Sequence, residues 1–222
     1  SLPYEGDVKV DDSFFVLAGE SYRKIRNTLK FLLSNLSDFT CGDDCVDMKS
    51  LDPKSIDAWA LAEFDKLSLE VKDAYSKYNF RRAHAAIYNF CNEAMSSTYL
   101  AATKDRLYCD DVSSLRRRRT QTVMWDIADG LCRLVAPILC HTADEAWREL
   151  VGAGKDDARC VHFEEFLPEF GVEIDAGWDK VMAARDAGLL ALEKAKADGI
   201  DNAMDAGLVF PDSDGVLAGF DV

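Results

Sequence analysis

The chain has 222 residues, 48% hydrophobic and 10% aromatic, with 40 acidic against 26 basic side chains and a net charge of −14. That apolar fraction excludes global disorder and allows one large domain, or one with a small appendage. The acidic balance excludes a general nucleic-acid coat, since phosphate contacts need positive charge, so any RNA contact must come from local patches.

Residues 1–12 read as a polar leading segment, with a hint of a short strand over 6–10 and with Asp11 or Asp12 placed to cap the first helix. The chain opens without Met, and its first residues carry neither a basic lead nor an apolar run. No signal peptide is expected, and the sequence reads as a piece of a longer protein. That first helix is predicted over 13–36. Tyr22, Ile25, Leu29, Leu32, Leu33 and Leu36 recur at three- and four-residue steps, which marks one buried face. Arg23, Arg26, Asn27 and Lys30 take the same steps on another face, with Lys24 elsewhere on the helix, and no Asp or Glu falls between Ser21 and Ser37. A bare positive stripe on an acidic chain has two readings. It is a solvated helix surface, the default for charge, or it is a site for an anion.

Residues 37–50 form a loop in which Gly42 and the acids Asp38, Asp43, Asp44 and Asp47 oppose helix. Cys41 and Cys45 flank its acidic part, but further ligands at workable spacing are missing, so no metal site is expected. The seven cysteines are odd in number, contain no Cys-x-x-Cys pair and sit mostly in helical patterns, as reduced thiols of a cytoplasmic protein do. A second helix is predicted from near Pro53 or Asp57, on the Asp52-Pro53 start signal, to near Tyr78. Its inward set is Trp59, Leu61, Phe64, Leu67, Val71 and Tyr75. Asn79 caps a third helix over 80–107, with Ala83, Ile87, Phe90, Ala94, Tyr99 and Leu100 as its apolar set.

A fourth helix runs over 114–136 and breaks at Pro137. Thr142-Ala-Asp-Glu145 reads as a capping box that opens a short helix through Trp147 and Leu150. Val161-His-Phe163 reads as a brief extended piece. A last helix over 178–198 has Val181, Leu189, Leu192 and Ala195 as its apolar spine. Beyond Gly199, acids, glycines and pieces such as Gly207-Leu-Val-Phe210 suggest a small strand-containing segment. No apolar run is long enough to span a membrane. The fold class is therefore mainly α: a helical bundle over 13–198, a linker over 1–12 before it, and a small C-terminal subdomain over 199–222.

Little here points to catalysis. His84, His141 and His162 do not cluster, no Ser/His/Asp or Cys/His set can be argued from the spacing, and no glycine loop cradles a phosphate. Arg116-Arg117-Arg118-Arg119 is the densest basic run, near the amino end of the fourth helix, where positive charge opposes the helix dipole. It binds phosphate or pairs with the acidic loops, and the second reading is favoured. The stripe suits RNA better: Arg23, Arg26 and Lys30 can neutralise phosphates or stack on bases, and Asn27 offers a donor and an acceptor to a base edge.

Tyr22-Arg-Lys-Ile-Arg-Asn-Thr-Leu-Lys-Phe-Leu-Leu-Ser-Asn-Leu36 resembles the first helix of the anticodon-binding domain of the isoleucyl-tRNA synthetase family, class I aminoacyl-tRNA synthetases. Further resemblances occur in family order: Asn89-Phe-Cys91, Lys104 to Tyr108, Ser114-Leu115, Arg117-Arg118, Gln121-Thr122, Ala136-Pro-Ile138, Thr142 to Trp147, the Trp178 helix and Ile200 to Ala206. Tyr4 to Val10 is similar to the segment just after the family's catalytic domain. One departure is Ile200-Asp201, where a glycine is usual. The resemblance implies an anticodon-binding helical bundle whose partner is the anticodon stem-loop of isoleucine tRNA, held mainly by Arg23, Arg26, Asn27 and Lys30, with Lys24 ranked below them.

It also implies a parent enzyme that uses ATP and Mg to activate isoleucine. The catalytic signatures are absent from this chain, so the piece alone is expected to be inactive and to hold no cofactor. The cysteine-rich zinc module that ends many bacterial members is absent too. A monomer is expected. The rival reading is an acidic helical scaffold that recruits a basic protein partner.

Overall fold

The structure is a computed structural model and describes residues 11–48, 51–197, 199, 202, 206–212 and 215–221. The strand suggested over 6–10 lies outside those residues.

Helix α1 spans Asp12–Ser34, and the side chain of Asp11 caps it by accepting from the Phe14 amide. Its apolar stripe is buried at Ile25, Leu29, Leu32 and Leu36, while Tyr22 stays at the rim. Helix α2, Ile56–Ser76, starts one residue before Asp57, the later of the two expected positions. Ser55 is the true cap, its Oγ accepting from the Ala58 amide, while Asp52 caps only the turn before it, through the Lys54 amide. Pro53 and Lys54 serve other parts of the chain: their carbonyls accept from the amides of Asp175 and Asp221.

Helix α3, Phe80–Asn89, is capped by Asn79 as its sequence predicts, then widens into a π-helical stretch over Phe90–Tyr99. Three hydroxyls in this stretch bond five residues back: Ser96 to the Cys91 carbonyl, Ser97 to Asn92 and Thr98 to Glu93. Such wide turns are uncommon in α-helical rods. The rod ends in two short pieces, α4 (Leu100–Ala102) and α5 (Lys104–Tyr108).

Helix α6, Leu115–Val135, begins at the cap Ser114 and is the most deeply buried element, with Val123, Met124, Ile127, Ala128 and Leu131 fully inside. It packs on α1 and α2, and α2 packs on α3 and the π stretch. Gly130 allows the close approach of α6 to α2, since a Cβ there would sit 2.4 Å from Cζ of Phe64. Helix α7 spans Cys140–Leu150. The capping box over 142–145 does not form: the helix has already begun, and Thr142 Oγ1 instead shares a hydrogen bond with Tyr22 Oη of α1 at 3.1 Å. Val161–Phe163 is one 3₁₀ turn rather than an extended piece.

Helix α8, Trp178–Ala197, runs as its periodicity predicts, and of its expected spine Val181, Leu192 and Ala195 are half-buried, Val181 against the core, while Leu189 is not covered. Leu189 is 46% exposed, and the buried contacts are made by Trp178 and Gly188, the latter close to Phe210 and Leu208. Beyond it, no strand forms among the described residues. Asp221 makes a single parallel bridge with Ser55.

That bridge belongs to a junction built on Asp57, whose side chain is 1% exposed. Tyr99 Oη donates to Oδ1 of Asp57 at 2.7 Å, Thr120 Oγ1 donates to it at 3.2 Å, and Arg106 Nη1 donates to Oδ2 at 3.1 Å. Arg106 also pairs with the Asp221 carboxylate at 2.9 Å. Alongside, Trp178 Nε1 donates to the Pro53 carbonyl, and Phe220 stands edge-on to the Trp178 ring. Burial pushes the Asp57 carboxyl up, and the bonds from Tyr99, Arg106 and Thr120 oppose that push.

Asp126 on α6 is in a different position, with no hydrogen-bond or ion-pair partner among the described residues. Burial, reinforced by the charge of Asp129, pushes its carboxyl up to about 7.

Removing one partner of a buried pair strands the other charge, so Asp57→Ala is expected to lower unfolding free energy by about 3–5 kcal/mol in urea denaturation. A loss under about 1 kcal/mol would show that the junction is open to solvent. Asp126 behaves oppositely. Its folded value lies above the usual 3.8, so the folded protein keeps a proton that the unfolded chain releases, and stability falls as pH rises from about 4 through 7. Asp126→Asn should therefore stabilise the protein at pH 8 by on the order of 2–4 kcal/mol, with the gain vanishing near pH 4. Equal gains at both pH values would refute that account.

Candidate nucleic-acid interface

Arg23, Arg26, Asn27 and Lys30 are all exposed on α1, at the three- and four-residue steps that align side chains along one helix face. None of the four side chains has an ion-pair or hydrogen-bond partner among the described residues. Lys24 is half-buried and diverges from them: its charge acts on Cys91 in the π stretch, whose thiol burial pushes up to about 12.

Most arginines outside α1 are engaged. Arg82, Arg106, Arg116, Arg117, Arg118, Arg133, Arg148, Arg159 and Arg185 all form ion pairs, and among the described residues only Arg81 and Arg119 do not. The stripe is thus a row of bare cations in a chain that neutralises most of its other guanidiniums.

The four-arginine run shows why. Arg117 pairs with Asp38 at 2.6 Å, Arg118 donates to the Asp38 carbonyl at 2.7 Å and pairs with Asp44 at 3.5 Å, and Arg116 pairs with Asp110 at 2.7 Å. Gln121 Nε2 adds bonds to the Asn35 carbonyl and to the Asp38 carboxylate. Burial pushes the Asp38 carboxyl up, but the bonds from Arg117 and Gln121 outweigh it and hold the group below the usual carboxylate range. The run opposes the dipole of its own helix. It complements the negative, carboxyl end of α1, which has no basic residue of its own in its last turn. Two of these arginines clamp the end of α1, as the acidic-loop reading expects.

α1 is also held from two other sides. His84 of α3 shares a hydrogen bond with Ser21 at 2.9 Å, and burial lowers its pKa, which keeps the ring neutral. On the other side stands α7, fixed to α6 by Trp147 Nε1 donating to Asp129 at 2.8 Å and to α1 by the Tyr22–Thr142 bond. Between α1 and α7 lies an open groove of about 410 Å³, lined by Arg26, Leu29, Lys30 and Leu33 on one wall and Thr142, Glu145, Ala146 and Glu149 on the other. Sequence alone does not reveal the α7 wall. The helical spacing of Thr142, Glu145 and Glu149 is a signal for it, but nothing in the sequence says which helix those residues face.

Cys41 and Cys45 lie with their sulfurs 3.5 Å apart as free thiols, and burial together with Cys45 pushes the Cys41 thiol up to about 11. His141 and His162 are exposed and isolated from one another. Among the described residues no group of three or more His, Cys, Asp or Glu is arranged to hold a metal ion.

The site is thus a helical bundle with a row of bare cations beside an open groove, the kind of local positive patch that an anionic partner requires. Residues 57–202 match the family described as the anticodon-binding domain of tRNA ligase, and the chain belongs to that family. Within it, the chain is similar to isoleucine–tRNA ligases. It is 38% identical over 204 residues to that of Desulfotalea psychrophila, covering 89% of this chain and 22% of that protein. It is 40% identical over 201 residues to that of Desulfitobacterium hafniense, covering 90% and 22%. With the Brevibacillus brevis protein the identity is 37% over 221 residues, covering 97% and 24%. The chain thus spans under a quarter of the length of these relatives.

The two sets of cations should separate in stability measurements. Arg117→Ala removes charge-assisted bonds from a side chain that is 11% exposed, and is expected to destabilise the protein by about 1–3 kcal/mol. The triple change Arg23→Ala, Arg26→Ala, Lys30→Ala should alter unfolding free energy by less than about 0.5 kcal/mol, as surface changes do. A large loss in the triple variant would mean that the stripe has structural partners.

Proposed function

We propose that this chain is the anticodon-binding part of an isoleucine–tRNA ligase, holding the anticodon end of isoleucine tRNA while the rest of the parent enzyme aminoacylates the distant acceptor end. One observation carries the reading for this molecule: the exposed, unpaired row Arg23, Arg26, Asn27 and Lys30 on α1 of a domain in the tRNA-ligase anticodon-binding family. The cations hold phosphates of a single-stranded loop, Asn27 meets a base edge, and Lys24 assists from the flank. The ATP- and Mg-dependent chemistry belongs to parts of the parent outside this chain, as does any zinc. The domain acts as a monomer in the cytoplasm. No helix among the described residues is long and apolar enough to cross a membrane.

The test is binding of isoleucine tRNA and a non-cognate tRNA at several salt concentrations, with the triple-alanine variant alongside. The expected result is cognate preference, weaker binding by the variant, and a log–log salt slope reduced by about 2 for three lost phosphate contacts. An unchanged slope and affinity in the variant would overturn the stripe's role. Binding that depends instead on the acidic loops and a basic protein partner would favour a scaffold.

A further inference from the structure

The loop over 37–48 holds two reactive groups that the RNA-binding reading does not use. Cys41 and Cys45 are exposed free thiols, and their sulfurs lie 3.5 Å apart, with Cys45 donating to Cys41. Among the described residues this is the only pair of cysteine sulfurs in contact, although Cys109 and Cys140 are exposed too. The backbone sets the pairing. The amides of Asp43 and Asp44 both donate to the Thr40 carbonyl, at 3.2 and 3.0 Å, and the Thr40 amide donates to the Asp44 carboxylate at 2.8 Å. The result is a single helical turn, which places residues four apart on the same side. No third His, Cys, Asp or Glu joins the pair in a metal-holding group among the described residues. What two adjacent thiols do without a metal is exchange their protons for a bond to one another.

We propose that Cys41 and Cys45 form a reversible oxidation site, closed to a disulfide by small-molecule disulfides such as glutathione disulfide and reopened by thiols. One cysteine, as its thiolate, attacks a sulfur of the reagent, forms a mixed disulfide and releases one glutathione thiolate, which takes up a proton. The other cysteine then loses its proton to solvent, attacks the protein sulfur of that mixed disulfide and releases the second glutathione. The protein gives up two electrons and two protons, and one glutathione disulfide becomes two thiols. The movement needed is small, since the sulfurs close from 3.5 Å to a bond of about 2.05 Å. Gly42, inside the turn, has a φ of +103° with open space beside it, so the turn can tighten there without a clash. Burial, together with Cys45, pushes the Cys41 thiol up to about 11, so no stabilised thiolate favours the reduced pair. The bond is therefore slow to form and, once formed, hard to reduce, the reverse of an oxidising pair whose reduced form is stabilised. In a reducing compartment such a bond is transient and senses the thiol poise. Its closure reaches the core through the same loop: Asp44 pairs with Arg118 at 3.5 Å, and the Val46 amide donates to Thr122 Oγ1 at 3.1 Å, both partners lying on α6.

The test equilibrates the 222-residue chain in glutathione buffers of graded disulfide-to-thiol ratio, folded and in urea, followed by alkylation, digestion and mass spectrometry. The expected product is a Cys41–Cys45 bond within one chain. It should be half-formed in the folded protein at a poise about tenfold more reducing than in the unfolded chain, a shift of about 30 mV. Cys109 and Cys140 should give only mixed disulfides with glutathione. Cys41→Ser and Cys45→Ser, each at an exposed position, should remove the internal bond and leave the remaining thiol as a mixed disulfide. The amide resonances of Val46 and Thr122 should move on oxidation and return on reduction. Three results overturn the site: mixed disulfides at Cys41 and Cys45 with no internal bond, a bond between chains in its place, or an internal bond that forms no more readily in the folded protein than in urea. None of these readouts depends on RNA, so the site and the RNA-binding reading stand or fall separately.

Discussion

The packing of this domain depends on one buried carboxylate. Asp57 stands at the start of α2 with almost no solvent, and the groups that satisfy it come from the π stretch, α5 and α6, while Arg106 ties the same point to Asp221 near the end of the chain. Burying an ion pair adds little net stability, because desolvation offsets the attraction. Its effect is selective: an arrangement that leaves Asp57 without Tyr99, Thr120 or Arg106 strands a charge in a low-dielectric interior. This gives the π-helical stretch a structural reason. The rod must deliver Tyr99 to Asp57 while keeping Ile87, Cys91 and Met95 in the core, and the wider turns over Phe90–Tyr99 alter the angular spacing between those positions. The three hydroxyl bonds to carbonyls five residues back fasten that wide geometry from the side chains.

An acidic domain that binds a polyanion must also solve an electrostatic problem. The net charge of −14 repels RNA at long range, but at physiological salt the repulsion is screened beyond roughly 8 Å. What matters is the charge within that distance of the contact. The segment from Ser21 to Ser37 has no acid, and arginines elsewhere are mostly committed to carboxylates within the fold. The four-arginine run illustrates the division. Arg117 and Arg118 are committed to the end of α1, where they fix the helix whose other face carries the free cations. Salt therefore acts on binding in two opposing ways. It screens the domain's general repulsion and it weakens the local phosphate contacts, and only the second depends on the stripe.

Much of this architecture was legible because amphipathic helices declare themselves by period. The buried sets of α1 and α2 and the caps at Asp11 and Asn79 are dictated by residues close in sequence. What escaped depends on residues far apart. α7 begins at Cys140, before the expected capping box, and Thr142 bonds instead to Tyr22, 120 residues away. The cap of α2 is Ser55, while the Pro53 carbonyl is engaged by Asp175 and Trp178, more than 120 residues away. In α8 the expected spine is covered unevenly: Val181 packs against the core, Leu189 stays half in solvent, and the fully buried positions are Trp178 and Gly188. Periodicity gives a helix's apolar face; it does not say how much partner surface is available to cover it. The same limit applies to the candidate site. The cations were visible on α1, whereas the carboxylates opposite them became part of a site only when Trp147 and Thr142 placed α7.

α1 also shows how fold and site are joined. Leu29 is buried in the core and at the same time lines the groove, with Leu33 half-buried beside it. The floor of the groove is therefore the outer edge of the packed interior, and it is as rigid as that interior. The walls are held separately, α1 by Gln121, Arg117 and His84, and α7 by Asp129. The charged side chains that line the groove take no part in those attachments. Selection on the site can change Glu145, Glu149, Arg26 or Lys30 without loosening the bundle, while changes at Thr142, Trp147 or Asp129 move the walls and alter every contact at once.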